Sequence, residues 1–181
     1  RARWLPRSSP STMEGFLLDT SALSTYLNVD HQNHAGAAAA FAAISADAPV
    51  FVSIVSLGEF EFGVRLAEAA SSKRMVEYRE RLTVVGQYAP LDMTRHTAAV
   101  YAELRSKLAA KVQRKANSQK PSRWLEDWID ANTDKQLQID ENDLWIAAQA
   151  KERDLTLVTN DKDMEVFAEI DPEIRLLKTY E

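Results

Sequence analysis

Four acidic residues suggest the chemistry of this chain: Asp19, Glu59, Asp143 and Asp161. Each lies where a short apolar run, predicted to be a strand, gives way to a helix, or in the first turn of that helix. In a sheet of parallel strands, the carboxyl ends of the strands line a common crevice in which ligands bind. We therefore expect the four carboxylates, although far apart in sequence, to share one site.

Carboxylates gathered in one crevice need a cation. Two unit charges about 4 Å apart repel by about 4 kcal/mol at an intermediate dielectric constant. A set of oxygen ligands alone favours a hard cation such as Mg²⁺ or Mn²⁺. The chain contains no Cys, which excludes a thiolate zinc site, a disulfide framework and a cysteine nucleophile.

Each acidic residue also has a structural interpretation. Asp19 and Asp161 are of a type that caps helices well. Glu59 follows Ser56 at the spacing of a capping box, and Asp143 would place favourable charge at a helix N-terminus. Taken singly, these roles compete well with catalysis. The joint pattern favours a shared site, because four independent caps would not all need to be acidic.

The composition is that of a soluble globular protein. The chain has 181 residues, enough for one domain, of which 45% are hydrophobic and 27% charged. No apolar run approaches the roughly 18 residues that span a bilayer, and no apolar core follows the N-terminal arginines. We therefore expect a cytoplasmic protein without membrane contact. The net charge of −5 argues against nucleic-acid binding by the whole surface.

Short apolar runs alternate with helical patterns, which predicts an α/β fold with a mainly parallel sheet. Strands are predicted at 15–19, 50–54 and 155–159, with an edge strand at 174–178. Residues 83–85 are interpreted as either a short strand or a helix end. The predicted helices cover residues 20–27, 36–46, 56–70, 73–82, 93–112, 122–131, 142–152 and 161–168.

The pattern divides the chain into an arm, residues 1–13, and a single domain, residues 14–181. The arm is rich in Arg, Ser and Pro, so we expect it to be flexible. Within the domain, residues 113–138 interrupt the alternation, and we expect a helical insertion there.

Basic residues dominate 105–123 and acidic residues dominate 126–143. The basic run is either a solvated helix face or, in a nuclease, a contact for phosphates.

Four segments around the acids resemble the acidic motifs of PIN-domain ribonucleases, specifically the VapC-type toxins of bacterial toxin–antitoxin pairs. These segments are LLDTSALSTYL, VSLGEFEFGV, NDLWIAAQA and LVTNDKDM. The resemblance runs from about residue 15 to residue 178 and implies a PIN-like three-layer α/β/α fold around the sheet. It also implies that Asp19, Glu59 and Asp161 act in catalysis together with Asp143, and that Asp19 and Asp143 bind Mg²⁺ or Mn²⁺.

The function implied by this resemblance is a metal-dependent endoribonuclease, the toxin of a type II pair, which hydrolyses RNA phosphodiester bonds. Glu59 would orient or deprotonate the attacking water. Asp161 would complete the metal shell through water or help to bind a second ion. The implied partners are an RNA substrate, a cognate antitoxin and a second copy of the chain. Leu57, Phe60 and Phe62 are candidates for the antitoxin groove, although core packing explains them equally well.

Two other functions compete with this one. A PIN-like module that binds RNA or antitoxin without cleavage is disfavoured by the intact acids. A metal-dependent phosphatase of the haloacid-dehalogenase type would carry a second Asp two residues after Asp19, where this chain has Ser21. The three histidines, His31, His34 and His96, have no partner visible in the sequence, and we interpret them as polar surface residues rather than ligands.

Overall fold

A computed structural model of the protein describes residues 14–114 and 121–180, so the expected arm at 1–13 lies outside the described residues. Five strands in this part of the chain form one sheet in the order β3-β2-β1-β4-β5, and every pairing is parallel. This confirms the predicted fold class. The strands are β1 Phe16–Leu18, β2 Val50–Ser53, β3 Ala89–Leu91, β4 Thr156–Thr159 and β5 Arg175–Lys178.

Seven α-helices in the described ranges cover the two faces of the sheet, which gives the three layers of the predicted α/β/α architecture. They are α1 Thr20–Tyr26, α2 His34–Ala43, α3 Ile54–Ala69, α4 Met75–Val85, α5 Arg95–Lys111, α6 Glu141–Glu152 and α7 Glu165–Ile170. No helix within residues 14–114 and 121–180 is both long enough and apolar enough to cross a membrane.

The central strands β1 and β4 are buried along their whole length because helices cover both faces. Successive side chains of a strand point to opposite faces. Leu17 therefore packs into one core with Leu104 of α5, whereas Leu18 packs into the other with Leu23 of α1. This alternation explains why the apolar runs of the central strands are continuous rather than interrupted by polar residues.

The register of β1 brings the ends of three strands to one edge of the sheet. Leu18 pairs with Val52 on one side and with Val158 on the other. The residues that follow these positions therefore emerge into one crevice, as parallel topology requires. Asp19 follows β1 in that crevice, and Asp161 follows β4.

Residues 83–85 are the end of α4, which is one of the two alternatives predicted for them. The sequence analysis did not predict the third strand, β3 at Ala89–Leu91. Pro90 argues against a strand prediction here, because a proline cannot donate a hydrogen bond to a neighbouring strand. It is tolerated here because β3 pairs with β2 alone and forms an edge of the sheet.

The helix predicted over 122–131 does not form. The chain makes only a short 3-10 helix there, Leu125–Asp127. The carboxylate of Asp130 then accepts hydrogen bonds from the backbone N–H groups of Asn132 and Thr133, at 2.9 and 2.8 Å. Such a local bond between side chain and backbone competes with helical hydrogen bonding and favours a turn.

The expectation of a helical insertion at 113–138 is wrong for the described part of that range. Its pairing is antiparallel and limited to isolated bridges, one between Val112 and Asp130 and one between Ile129 and Gln136. The insertion therefore places loops, rather than the face of a helix, next to α5.

Asp171, which follows α7, ties three helices together. Its carboxylate accepts hydrogen bonds from Lys107 of α5 at 2.7 Å and from Lys151 of α6 at 2.5 Å. Burial by itself raises the pKa of Asp171, but the hydrogen bonds from the two ammonium groups outweigh it and bring the pKa down to about 2. The ionised carboxylate thus stabilises this side of the fold.

Asp171→Asn is expected to destabilise the protein in a pH-dependent way. The folded pKa of about 2 lies below the unfolded value near 3.9, so ionisation contributes about 2 kcal/mol of stability. That contribution is complete above about pH 4 and is lost as the pH falls through about 2. Urea unfolding should therefore show a loss of about 2 kcal/mol at pH 7 and a smaller loss at pH 3.

The exposed Asp47 provides the matched control. Asp47→Asn should change the free energy of unfolding by no more than about 0.5 kcal/mol at either pH. An equal loss for Asp171→Asn at pH 7 and pH 3 would show that packing, and not the charge, explains the effect.

Candidate active site

Asp19 follows β1 directly and lies at the floor of the crevice, where it is only 3% exposed. Its Oδ2 atom accepts hydrogen bonds from the hydroxyl groups of Ser21 at 2.6 Å and Thr159 at 2.8 Å. Asp19 occupies the N-cap position of α1, but its side chain makes no capping hydrogen bond. The predicted N-cap position of Asp19 is therefore confirmed, but its carboxylate does not cap the helix.

Asp161 reaches the same crevice from the end of β4. Its backbone N–H donates to the hydroxyl oxygen of Thr159 at 3.0 Å, and its Oδ1 atom accepts from the backbone N–H of Asp163 at 2.9 Å. The helix predicted at this point begins only at Glu165, so Asp161 caps no helix. One hydroxyl, that of Thr159, thus contacts both the Asp19 side chain and the Asp161 backbone.

Asp143 lies in the first turn of α6, where it has a structural role as well. Its Oδ2 atom accepts the backbone N–H of Asp140 at 2.8 Å, and Asp140 in turn accepts the backbone N–H of Asp143 at 3.0 Å. This is a reciprocal capping box. Only one carboxylate oxygen of Asp143 is used, and the Oδ1 atom has no hydrogen-bond partner in the part of the chain that the structure describes.

Glu59 extends from α3 on the other side of the crevice. Its Oε2 atom accepts a hydrogen bond from the hydroxyl of Thr20, and its Oε1 atom accepts one from the amide of Asn142 at 2.8 Å. These two partners are the sequence neighbours of the first and third acids, so Glu59 joins the same cluster. Helix α3 is capped by Ser53, and the predicted capping box of Ser56 with Glu59 is therefore wrong.

The acids meet without a basic side chain. Burial raises the pKa of both Asp19 and Asp143, and the charges of Asp140, Asp19 and Asp161 raise that of Asp143 further, to about 8. Within residues 14–114 and 121–180, none of the four acids forms an ion pair with Lys, Arg or His. The crevice therefore lacks the positive charge that would balance it.

The donor atoms of the crevice fit a hydrated divalent cation. No three His, Cys, Asp or Glu side chains of the described residues are already spaced as a metal cage. Mg²⁺ does not need such a cage, because it retains several waters and is commonly bound through one or two carboxylates. Within the described residues, the Oδ1 atom of Asp143 has no donor, and the Asp19 carboxylate is bonded by neutral groups; oxygen ligands are the type that Mg²⁺ and Mn²⁺ prefer.

Three polar residues that hold the acids were not predicted to do so. Thr20 and Asn142 bond to Glu59, and Ser21 bonds to Asp19. The sequence indicates these residues only by their position, because each is the neighbour of an acidic residue or lies two positions from it. That signal is weak, since hydroxyl and amide residues at helix starts are common for capping alone.

The histidines take no part in the acidic cluster. His31 accepts a hydrogen bond from the backbone N–H of Asn33 at 3.1 Å. The ring of His34 stacks on Tyr26 with 6.3 Å between centroids, and His96 is exposed at the start of α5. His31 and His34 are thus half-buried, and only His96 is exposed as the sequence predicted.

A family profile described as the PIN domain matches residues 16–170. The chain belongs to the PIN domain family. No curated protein matches its sequence. The family profile covers all four acidic positions.

Three solved structures that share this fold contain VapBC proteins. One is VapBC2 from Rickettsia felis bound to a DNA fragment from its promoter, with 20% identity, a TM-score of 0.60, and coverage of 90% of this chain and 97% of that chain. VapBC-1 from nontypeable Haemophilus influenzae has 13% identity and a TM-score of 0.60, with coverage of 91% and 97%. VapBC-5 from Mycobacterium tuberculosis has 25% identity and a TM-score of 0.56, with coverage of 93% and 99%. The resemblance to VapC-type PIN domains that the sequence motifs indicated is thereby confirmed.

Asp143→Asn is expected to stabilise the metal-free PIN domain. The change removes repulsion with Asp19 and Asp161, while an amide oxygen can still accept the N–H of Asp140. Because the folded pKa of about 8 exceeds the unfolded value near 3.9, the wild-type protein loses stability as the pH rises from about 4 to about 8. At pH 7.5 in chelator, thermal unfolding should show the variant to be more stable by on the order of 2 kcal/mol.

Mn²⁺ should raise the unfolding temperature of the wild-type protein and have little effect on Asp143→Asn, because binding to the folded state alone stabilises it. The exposed Asp47→Asn variant should behave like the wild type in both conditions. A lower unfolding temperature for Asp143→Asn in chelator would contradict the electrostatic account of the crevice.

Proposed function

We propose that this PIN domain is a Mg²⁺- or Mn²⁺-dependent endoribonuclease and the toxin of a type II toxin–antitoxin pair, acting in the cytoplasm. The observation that carries the proposal is the meeting of Asp19, Glu59, Asp143 and Asp161 at the carboxyl ends of parallel strands, without a cation of their own. Membership of a family of nucleases supports it. We further propose that residues 14–181 act as one nuclease domain and that 1–13 form an appended arm.

In this proposal Asp19 and Asp143 hold the metal, and Asp161 completes its shell through water or helps to bind a second ion. The free Oδ1 atom of Asp143 and the buried, hydroxyl-bound carboxylate of Asp19 suit this role. A bound divalent ion lowers the pKa of a water, polarises the phosphoryl oxygen and stabilises the leaving oxyanion.

The protein's own groups orient the reaction. Glu59 positions the attacking water and accepts its proton, and the hydrogen bonds from Thr20 and Asn142 fix the direction of its carboxylate. Ser21 and Thr159 fix Asp19 in the same way. In-line attack at phosphorus with the 3′ oxygen as leaving group yields a 5′-phosphate and a 3′-hydroxyl.

The proposed protein partners are a cognate antitoxin and a second copy of the chain. The similarity to VapBC complexes supports the antitoxin. Of the three apolar candidates for its groove, Phe60 is buried in the core and Leu57 packs against it. Phe62 is 62% exposed, and Leu66, one turn further along α3, is 54% exposed. We propose that these two side chains contact the antitoxin.

Asp19→Asn is expected to abolish RNA cleavage and to preserve the fold, because one ligand charge is lost while an amide of the same size remains. Purified protein is incubated with total RNA in Mg²⁺, in Mn²⁺ and in chelator, and the fragments are resolved by electrophoresis. The wild type should give discrete fragments only with metal. Loss of activity of at least a hundredfold is the expected order, since metal stabilisation of the transition state is worth several kcal/mol.

The exposed Asp47→Asn variant is the matched control and should cleave like the wild type. Circular dichroism should give equal spectra for all three proteins. Cleavage by Asp19→Asn at the wild-type rate would remove Asp19 from the site. Absence of cleavage by the wild type with every metal would favour a binding module without catalysis.

Phe62→Glu is expected to weaken the complex with the cognate antitoxin, because it places a charge in the middle of an apolar contact. The two proteins are expressed together, and the amount of antitoxin retained on the tagged toxin is measured. The control is Val29→Glu, a change of similar chemistry at a residue that is 74% exposed outside α3. Equal retention by both variants would exclude Phe62 from the antitoxin interface.

A further inference from the structure

A pocket of about 500 Å³ opens between α5 and the insertion. Its walls include Tyr101 and Arg105 from α5 and Pro121, Arg123 and Trp128 from the insertion. The volume is within the range of about 300–1,000 Å³ typical of small-molecule sites. We call it the aromatic pocket. It lies outside the acidic crevice, and the proposed mechanism does not use it.

Arg105 forms a rigid wall of the aromatic pocket. Its guanidinium lies 5.7 Å from the ring centroid of Tyr101 and 5.5 Å from that of Trp128. It also forms an ion pair with Glu141 and donates to the backbone carbonyl of Arg123 at 2.8 Å. Since Glu141 already balances its charge, Arg105 contributes a flat surface to the pocket rather than a free cation.

Arg123, which lines the pocket, forms an exposed pair with Trp124, the next residue along the chain. The Arg123 guanidinium lies 4.9 Å from the centroid of the Trp124 ring. Trp124 is 56% exposed, although tryptophan is usually highly buried. Among residues 14–114 and 121–180, no carboxylate forms an ion pair with Arg123. At the side of the pocket that Arg123 lines, the pair therefore presents an accessible indole and an unneutralised positive charge together.

The described residues of the basic run at 105–123 divide between its two interpretations. Lys107 and Lys111 bond to Asp171 and Glu169, and Arg105 bonds to Glu141, so these cations are used within the fold. Arg123 instead lies over the Trp124 ring, and its backbone carbonyl accepts a hydrogen bond from Arg105.

The aromatic pocket lies next to the acidic crevice. Glu141, the partner of Arg105, is the first residue of α6. Asn142 follows and bonds to Glu59, and Asp143 is the next residue. The pocket and the crevice thus lie on two sides of the first turn of α6, and a helix is about 10 Å across.

We propose that the aromatic pocket, with Arg123 and Trp124, binds an unpaired nucleobase and its phosphate beside the RNA bond that the acids cleave. The proposal rests on the proposed nuclease function and deepens it by naming a substrate subsite. Unpaired bases stack on aromatic rings and on guanidinium planes, and an unpaired arginine suits a phosphate. A protein segment would need the apolar walls but not the unneutralised Arg123 beside a crevice for phosphodiesters.

Acidic neighbours restrict the path of the phosphate. Glu126 and Asp127 are exposed just beyond Trp124, and Asp127 accepts a hydrogen bond from Ser122 at 2.9 Å. Their charge repels a phosphate, so the RNA backbone is expected to pass on the side of Arg123.

The test uses the whole protein in chelator with fluorescein-labelled single-stranded RNA octamers of each base, followed by anisotropy. No cleavage is expected without metal, so the readout is affinity alone. Trp124→Ala should raise the Kd about tenfold through loss of stacking, and Trp124→Phe should restore most of the affinity. Arg123→Ala should reduce the slope of log Kd against log salt concentration by about 0.7, the value for one phosphate contact on a single strand.

Arg79→Ala is the matched control, because Arg79 is an exposed arginine on α4, outside the pocket. It should leave both the Kd and the salt slope at wild-type values, and thermal unfolding should be the same for all variants. Wild-type affinity and slope in both Trp124→Ala and Arg123→Ala would overturn the proposal. Unchanged RNA affinity with loss of antitoxin binding would also overturn it, in favour of a protein contact.

The RNA cleavage assay with Mg²⁺ or Mn²⁺, run beside this binding test, separates the proposal from the proposed nuclease function. If the wild type fails to cleave RNA with either metal, yet Trp124→Ala and Arg123→Ala alter binding in chelator as expected, the nuclease proposal fails and the subsite remains. If the wild type cleaves RNA and the two variants bind like Arg79→Ala, the subsite fails and the nuclease remains.

Discussion

Repulsion between buried carboxylates is the constraint on which the rest of this structure depends. Asp19 and Asp143 are held in a crevice where burial and neighbouring charge raise their pKa values. An isolated arrangement of this kind would separate or protonate. It persists because the parallel register of β1 with β2 and β4 fixes where the chain emerges, and because the capping box of α6 holds Asp143 in place.

Neutral groups bond to the acidic residues of the crevice, whereas lysine side chains bond to a buried carboxylate elsewhere in the fold. Hydroxyl groups bond to Asp19, and a hydroxyl and an amide bond to Glu59. Asp171, by contrast, lies between Lys107 and Lys151, and its pKa falls to about 2. Both solutions keep a buried carboxylate in position. Only the neutral hydrogen bonds leave the negative charge of the carboxylate unbalanced. A divalent cation binds where such negative charge is unbalanced.

The described part of residues 113–138 forms a surface beside α5 while it remains attached to the core. Leu125 and Trp128 are buried, and they attach the insertion to the core that contains α5. The remainder of its described part is irregular, so its side chains are available to form a surface. The aromatic pocket arises where this segment meets α5, and Arg105 joins the two parts by bonding to Glu141 and to the carbonyl of Arg123.

The sequence alone determined the α/β class and the positions of Asp19 and Glu59 with the other acids, because local periodicity and strand-to-helix junctions encode both. Tertiary structure decided which residues cap the helices, since Ser53 rather than Ser56 is the N-cap of α3. It also decided that Pro90 is tolerated in a strand, because only the sheet order makes β3 an edge. The insertion depends on the turn at Asp130, where a side chain competes with the helix that local propensity favours.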